Sequence, residues 1–225
     1  MTDPTGGMVL PAAVPLFPLP NVVLFPRAVL PLHIFEERYK RMMADVVTAG
    51  HRQLAMALLH RGWERHYYGR PAIEPVVCVG TILSYERLPD GRYNLLLQGH
   101  TRARVVREVR TAAPYREAEL EAVYETDWAE GGLAAARERL VEMFDRPSYA
   151  SLPGGDQIRQ ILDSRLPTAA VADLLAFHVL PEEQVALKQS LLAEADVKRR
   201  VWRTVEAVAA LQPMWQNMPG DARLN

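Results

Sequence analysis

The sequence predicts an α+β protein in which a β-rich first half is followed by an all-helical second half. Short apolar stretches bounded by proline and glycine, typical of strands, fill the chain to about residue 125. A single early segment, after Glu36, repeats its apolar residues at helical spacing, and the later apolar patterns all have that spacing. The predicted division is a flexible N-terminus (1–13), a β-rich region (14–126) and a helical bundle (127–225).

Proline shapes the start of the β-rich region, because seven of the 17 prolines fall within the first 31 residues. Proline cannot donate to a strand ladder, so such a segment runs extended only at sheet edges or bulges. Pro89, Asp90 and Gly91 fit a type I turn with a bulge, which predicts a hairpin. The predicted strands cover residues 14–19, 28–34, 53–59, 76–88, 92–99, 101–109 and 115–125.

One helix is predicted to interrupt these strands, starting after Glu36 and ending at Gly50 as its C-cap. Its buried face is predicted to consist of Tyr39, Met42, Met43, Val46 and Val47. In the second half, the same spacing predicts helices over residues 131–146, 155–166, 167–180, 181–192 and 195–211.

The amino-acid composition and net charge exclude several classes of protein. Hydrophobic residues make up 49% of the chain and charged residues 24%, as in ordinary soluble globular proteins. The net charge of −1 provides no field that would attract nucleic acid or an anionic membrane. Cys78, the only cysteine, lies in an apolar stretch and is predicted to be buried, which excludes a disulfide framework. The first 13 residues lack basic residues and a long apolar run, so we expect a cytoplasmic protein.

Motifs for catalysis are missing from the sequence. It contains no P-loop, no dinucleotide-binding glycine motif and no nucleophile elbow, so we expect neither an enzyme nor a cofactor. His60, Glu64 and His66 share one loop and could hold a metal ion, but such groups in loops are more often simply solvated. A metal-dependent hydrolase is therefore a minor alternative.

Two features could support binding. Trp63, Tyr67 and Tyr68 share a loop with Arg65 and further arginines, and recognition surfaces are rich in aromatic residues and arginine. These rings could equally fold back and cover the protein's own sheet. The second feature is a pair of arginines, Arg102 and Arg104, on one face of a predicted strand, where they could meet phosphate.

For this arginine pair, a solvated outer face is the favoured interpretation. Glu108 interrupts the basic run, and the chain as a whole is slightly acidic. Arginines on the exposed side of a strand also need no ligand to explain them.

The opening stretch "FPLPNVVLFPRAVLPLHIFEERYKRMM" resembles the signature of the Lon protease N-terminal domain family. The similarity continues through "VGTILSYERLPDGRYNLLLQGHTRARV" and "PYREAEL", and returns in "ADLLAFHVLPEEQVALKQSLLAEADVKRR". It covers roughly residues 14–211 in the same order. The family often has glycine after the "LFP" proline, where this chain has Arg27.

This resemblance implies a PUA-like β pseudo-barrel with one inserted helix, followed by a helical bundle. The full protease would add ATPase and peptidase domains, and this chain is expected to be a stand-alone bacterial Lon-domain protein without them. The implied function is non-catalytic binding of unfolded or extended polypeptide, or of a partner protein, in an adaptor or quality-control role.

RNA binding is the main alternative, since the implied PUA-like architecture and Arg102 with Arg104 suggest it, although the net charge disfavours nucleic acid. A membrane partner is not expected. The sequence does not determine the oligomeric state.

Overall fold

The first half of the chain folds into one mixed sheet of six strands. The computed structural model describes residues 10–67, 69–126, 129–145 and 154–211. The strands are β1 (Val14–Leu19), β2 (Val29–Ile34), β3 (Gln53–Leu58), β4 (Val76–Arg87), β5 (Tyr93–Val109) and β6 (Arg116–Ala122). The predicted α+β class is confirmed.

Five strands close into a ring, which is the predicted pseudo-barrel. The sheet order is β2-β5-β4-β3-β1-β6, and β6 also pairs with β5. The β1–β3 pair is parallel and the other pairs are antiparallel. β2 pairs only with the first part of β5, so β2, residues 93–98 and residues 83–87 form a three-stranded part outside the closed ring. We call this part the strand extension.

Small and β-branched side chains fill the ring. Val77 and Val79 of β4 are completely buried between Ala55, Ala57 and Ala103. Small side chains suit this interior because opposite walls of a narrow barrel leave little space. Cys78 is buried, as predicted.

β5 is one continuous strand, whereas the sequence predicted two strands separated at Gly99–His100. The prediction was wrong because Gly99 serves a close approach and not a turn. A Cβ atom at this position would lie 2.2 Å from the carbonyl oxygen of Phe25. The neighbouring loop is held there by the Arg27 amide, which donates to the Gly99 carbonyl at 2.7 Å. Arg27 itself has φ of 70°, a left-handed conformation that glycine adopts more readily.

The inserted helix α1 spans Glu37–Ala49 and ends at Gly50, whose φ is 76°, as predicted. Tyr39, Met42, Met43 and Val46 are buried, and only Val47 of the predicted face is half-exposed. The Tyr39 ring packs edge-on against Phe17 of β1, with 4.6 Å between the ring centroids. The helix is thus fixed to the outside of the ring.

The later helices are α2 (Ala134–Phe144), α3 (Gly155–Asp163), α4 (Thr168–His178), α5 (Val185–Leu192) and α6 (Val197–Ala210). In α6 the predicted valines at 197, 201, 205 and 208 are buried. Arg200 on the same helix is also fully buried, with its guanidinium 2.7 Å from Glu125 and 3.2 Å from Asp173. Among the described residues, no helix combines the length and apolar character needed to cross a membrane.

The chain groups into two units, and the grouping differs in one segment from the predicted division. Residues up to Val123 form one unit together with Val185–Ala193, and the other unit comprises Tyr124–Gln184 and the residues from Glu194 onward. α5 thus belongs with the β-rich unit, because Gln189 donates to the Val76 carbonyl at 2.8 Å. The boundary at residues 126/127 stays a prediction, as does the flexibility of the N-terminus, whose first nine residues lie outside the described range.

Candidate functional site

The aromatic loop, residues 60–75, joins β3 to β4 and contains a short 3-10 helix over Trp63–His66. The Tyr67 hydroxyl donates to Glu36 at the start of α1. Burial, together with this hydrogen bond, raises the pKa of Tyr67. The Arg38 guanidinium lies 5.0 Å from the centre of the Tyr67 ring. Tyr67 therefore anchors the loop to the protein itself.

Trp63 and Arg65 are placed differently from Tyr67. Trp63 is half-buried and meets the Tyr67 ring edge-on, with 5.3 Å between the centroids, while Arg65 is exposed. Tyr68 lies outside the described residues. Of the predicted aromatic set, Trp63 is thus the ring that the structure places beside a groove.

This groove, the Trp63 groove, has a volume of about 520 Å³. Leu58, Leu59 and Trp63 line it on the strand and loop side, and Val185, Ala186 and Gln189 of α5 line the other side. The mixture of apolar walls and a few polar groups is typical of ligand-binding clefts. The sequence analysis did not identify α5 as a wall of this groove, because only the fold brings residue 185 close to residue 63.

The two arginines predicted to form a basic patch differ in their exposure to solvent. Arg102 is only 3% exposed, and its Nε donates to the Leu192 carbonyl at 3.0 Å. Arg104 is exposed. The expectation of a solvated face is therefore wrong for Arg102, because α5 covers this part of β5. Of the two arginines, only Arg104 is therefore exposed and able to contact a phosphate group.

The predicted metal candidates do not converge in the structure. The charged partner of His60 is Glu74, whose carboxylate lies 3.4 Å from His60 Nε2. In the described parts of the chain, no three histidine, cysteine or carboxylate side chains are grouped closely enough to hold a metal ion.

The strand extension carries an apolar surface that the sequence analysis did not identify. Six large apolar side chains are exposed among the described residues, and four of them lie here. They are Leu83, Tyr85, Leu96 and Phe35, which directly follows β2. Tyr85 is paired with Leu95 and therefore lies on the opposite face from Leu96. We call Phe35, Leu83 and Leu96 the apolar cluster. A shallow hollow of about 590 Å³ is lined by Tyr85 and Leu96 together with Pro31, Leu32 and His33. His33 also stacks on Phe35, with 6.3 Å between the ring centroids.

One sequence signal could have revealed this surface. Leu95, Leu96 and Leu97 follow one another in β5, and successive side chains in a strand point to opposite faces. Leu95 and Leu97 are buried, so Leu96 must point away from them, and it is 40% exposed. A run of three leucines in a strand at the end of a sheet therefore indicates an apolar outer face.

The family profile described as "ATP-dependent protease La (LON) substrate-binding domain" matches residues 13–210. The chain belongs to the Lon substrate-binding domain family. Lon protease 2 of Syntrophobacter fumaroxidans is 32% identical over 180 residues, which cover 78% of this chain and 22% of that protein. Lon protease 2 of Sorangium cellulosum is 30% identical, covering 89% of this chain and 25% of the relative. The Lon-type chain thus spans about a quarter of the length of these curated relatives.

Solved structures agree with this assignment. The N-terminal domain of the Mycobacterium avium complex Lon protease matches with a TM-score of 0.67, covering 88% of this chain and 98% of that one. Because only 18% of the aligned residues are identical, this match shows a shared Lon-domain fold and nothing further. The Lon N-terminal domain protein from Xanthomonas campestris matches with a TM-score of 0.57 and 25% identity, covering 92% of this chain and 99% of that one.

Proposed function

We propose that this protein is a non-catalytic module that binds extended, apolar polypeptide on the apolar cluster of the strand extension. The observation that carries the proposal is the exposure of three large apolar side chains, Phe35, Leu83 and Leu96, on or directly beside the strand extension, with Phe35 62% exposed. Concentrated apolar surface of this kind marks interaction sites in soluble proteins. A bound chain would cover this surface and gain the free energy of its burial.

The class of ligand is suggested by the family. The matched domain is described as the substrate-binding part of an ATP-dependent protease, and the substrates of a protease are polypeptides. Transferred to this chain, that role is the capture of unfolded or extended segments, as an adaptor or quality-control factor.

The mode of binding follows from the edge of the sheet. β2 pairs with β5 on one side only, so its other side is open within the described part of the sheet. Pro31 lies in the middle of β2 and has no N–H with which to pair an added strand. Proline on an edge strand is one of the devices by which proteins prevent strand addition. We therefore place the polypeptide across the outer face of the extension, where its side chains meet Leu96.

The Trp63 groove is proposed as a secondary contact for the same polypeptide. Trp63 would provide the aromatic anchor, and the exposed Arg65 would lie at the rim, where a charge favours acidic partners. Tyr67 would act indirectly, by holding the loop against Glu36. The contribution of Tyr68 is left open in this proposal, since this residue lies outside the described range.

The proposal includes no catalysis and no nucleic acid. RNA binding draws no support from Arg102, whose side chain is buried against Leu192. A metal-dependent hydrolase draws none from His60, whose nearest charged partner is Glu74.

The test is the affinity for a permanently unfolded protein, such as fluorescently labelled, carboxymethylated α-lactalbumin, measured by anisotropy. Leu96→Ser should weaken binding by several-fold, because fully burying a leucine side chain contributes about 1.5–3 kcal/mol and the 40% of Leu96 that is exposed accounts for part of this. Trp63→Ala should weaken it by a smaller factor. The affinity should change little with salt concentration, whereas binding through phosphate contacts weakens steeply.

Val106→Ser is the matched control. Val106 lies on β5 and is 57% exposed, but it is outside the apolar cluster. This variant should bind as the wild-type protein does. Equal affinities for Leu96→Ser and wild type, or an equal loss in the Val106→Ser control, would contradict the proposed surface.

A further inference from the structure

A second pocket, lined in part by Gly69 and Arg70 of the aromatic loop, has the composition of an anion site. It has a volume of about 350 Å³ and lies in the β-rich unit. Three arginines line it: Arg38 from α1, Arg70 from the aromatic loop and Arg116 from β6. No carboxylate is among its described lining residues, which otherwise comprise Pro18, Tyr39, Gly69, Pro114 and Tyr115. We call it the arginine pocket.

The positive charge of the three arginines is only partly neutralised by carboxylates outside the pocket lining. Glu108 is shared by two guanidinium groups, because it lies 3.0 Å from Arg116 Nε and 3.3 Å from Arg70 Nη1. Glu36 pairs with Arg38 at 3.0 Å. Three guanidinium groups thus share two carboxylates, and both carboxylates stand outside the pocket lining.

Arg116 is held rigidly and still has donors to offer. Its side chain is buried, with Nη1 donating to the Pro71 carbonyl at 2.7 Å and the Nε side directed at Glu108. These contacts occupy only part of the five N–H groups of a guanidinium. A guanidinium fixed in this way is already oriented for a planar or tetrahedral oxyanion, so binding would cost little side-chain entropy.

Tyr39 adds a hydroxyl group to this pocket. The residue as a whole is only 4% exposed, and it lines the arginine pocket together with the three arginines. Burial raises the pKa of Tyr39 to about 12. Like any tyrosine hydroxyl, this group is protonated at neutral pH and can donate a hydrogen bond to an anion.

We propose that the arginine pocket binds a compact oxyanion, a phosphate or carboxylate group, which accepts hydrogen bonds from Arg70, Arg116 and the Tyr39 hydroxyl. The group could be a free ion or small metabolite, or it could belong to a polypeptide as a phosphate or a terminal carboxylate. The proposal does not depend on the polypeptide function of the strand extension, because the two surfaces share no lining residue.

The experiment is a titration of the full chain with inorganic phosphate and, separately, with acetate, at constant ionic strength maintained with sodium chloride. We expect saturable binding by calorimetry and a rise in the melting temperature that chloride does not produce. A short peptide with a free C-terminal carboxylate, compared with its amidated form, distinguishes a polypeptide source of the anion from a free ion.

Two variants locate the site. Tyr39→Phe removes only the hydroxyl and should weaken anion binding by about tenfold, the value of one hydrogen bond to a charged group. Arg70→Gln removes the most exposed of the three charges and should weaken it at least as much. Their melting temperatures without anion report whether either variant has lost stability, and NMR shift changes at Gly69 and Tyr115 report where the anion binds.

Arg104→Gln is the control, since it removes an exposed arginine of the same unit that does not line the pocket. It should bind the anion as the wild-type protein does, and so should Leu96→Ser. The proposal is overturned if neither phosphate nor acetate binds saturably. It is also overturned if Tyr39→Phe and Arg70→Gln retain wild-type affinity, or if Arg104→Gln loses as much affinity as they do.

Discussion

The closed ring and the strand extension use the same strands in different ways. β4 is buried from Val76 to Gly80, where it belongs to the ring, and exposed from Leu83 to Arg87, where it belongs to the extension. Both parts contain large or branched apolar side chains. In the ring these side chains stabilise the fold, whereas the exposed side chains of the extension, such as Leu83 and Leu96, face solvent and contribute little to it. The difference teaches that the exposed apolar residues of the extension are free to serve binding, and each prediction below tests the contrast between buried and exposed positions.

The largest difference should come from introducing a charge. Met43→Asp places a carboxylate in the fully buried face of α1, which should cost about 4 kcal/mol or more and lower the melting temperature by about 10 °C or more. Phe35→Asp, in the apolar cluster, should stay within about 0.5 kcal/mol of the wild type. Thermal unfolding of both variants checks this. Similar melting temperatures for the two variants would contradict the claim that Met43 stabilises the fold while Phe35 does not.

The next difference concerns two neighbours in β5. Leu97 is completely buried, and Leu97→Ala should destabilise the protein by about 2–5 kcal/mol. Leu96→Ala changes the exposed neighbour and should cost less than about 0.5 kcal/mol. Urea unfolding measures both free energies. A large cost for Leu96→Ala would mean that the apolar cluster stabilises the fold and is not available as a binding surface.

A smaller difference separates the two arginines of β5. Arg102→Ala leaves the Leu192 carbonyl without its buried donor and should cost about 1–3 kcal/mol. Arg104→Ala should be nearly neutral, because that side chain is exposed. The same urea experiment applies. Equal free energies for the two variants would show that α5 does not hold Arg102 in solution.

Much of the fold could be predicted because local patterns determine it. The buried face of α1 follows from helical spacing in one segment, and the bulged turn at Gly91, with φ of 84°, follows from its local turn residues. The predictions that were wrong concern contacts between residues that are far apart in the sequence. The burial of Arg102 depends on α5, a helix some 90 residues later, since their hydrogen bond joins residues 102 and 192. The continuity of β5 through Gly99 depends on the approach of the Phe25 carbonyl.

The candidate sites were less predictable than the fold for the same reason. The sequence grouped Trp63, Tyr67 and Tyr68 because they are neighbours in the chain, but Tyr67 is engaged by Glu36 of a different segment. The apolar cluster combines Phe35, Leu83 and Leu96, which only the pairing of β2, β5 and β4 brings together. The arginine pocket likewise combines three distant segments.

The most direct test of the polypeptide-binding proposal is to map the bound polypeptide by NMR. The isotope-labelled protein would be titrated with unlabelled, carboxymethylated α-lactalbumin, and the backbone amide shifts would be followed residue by residue. We expect the largest changes at residues 31–35, 83–86 and 94–96, with smaller changes around Trp63 and little change at Val106. Changes centred away from the strand extension, or no saturable change at all, would contradict the account.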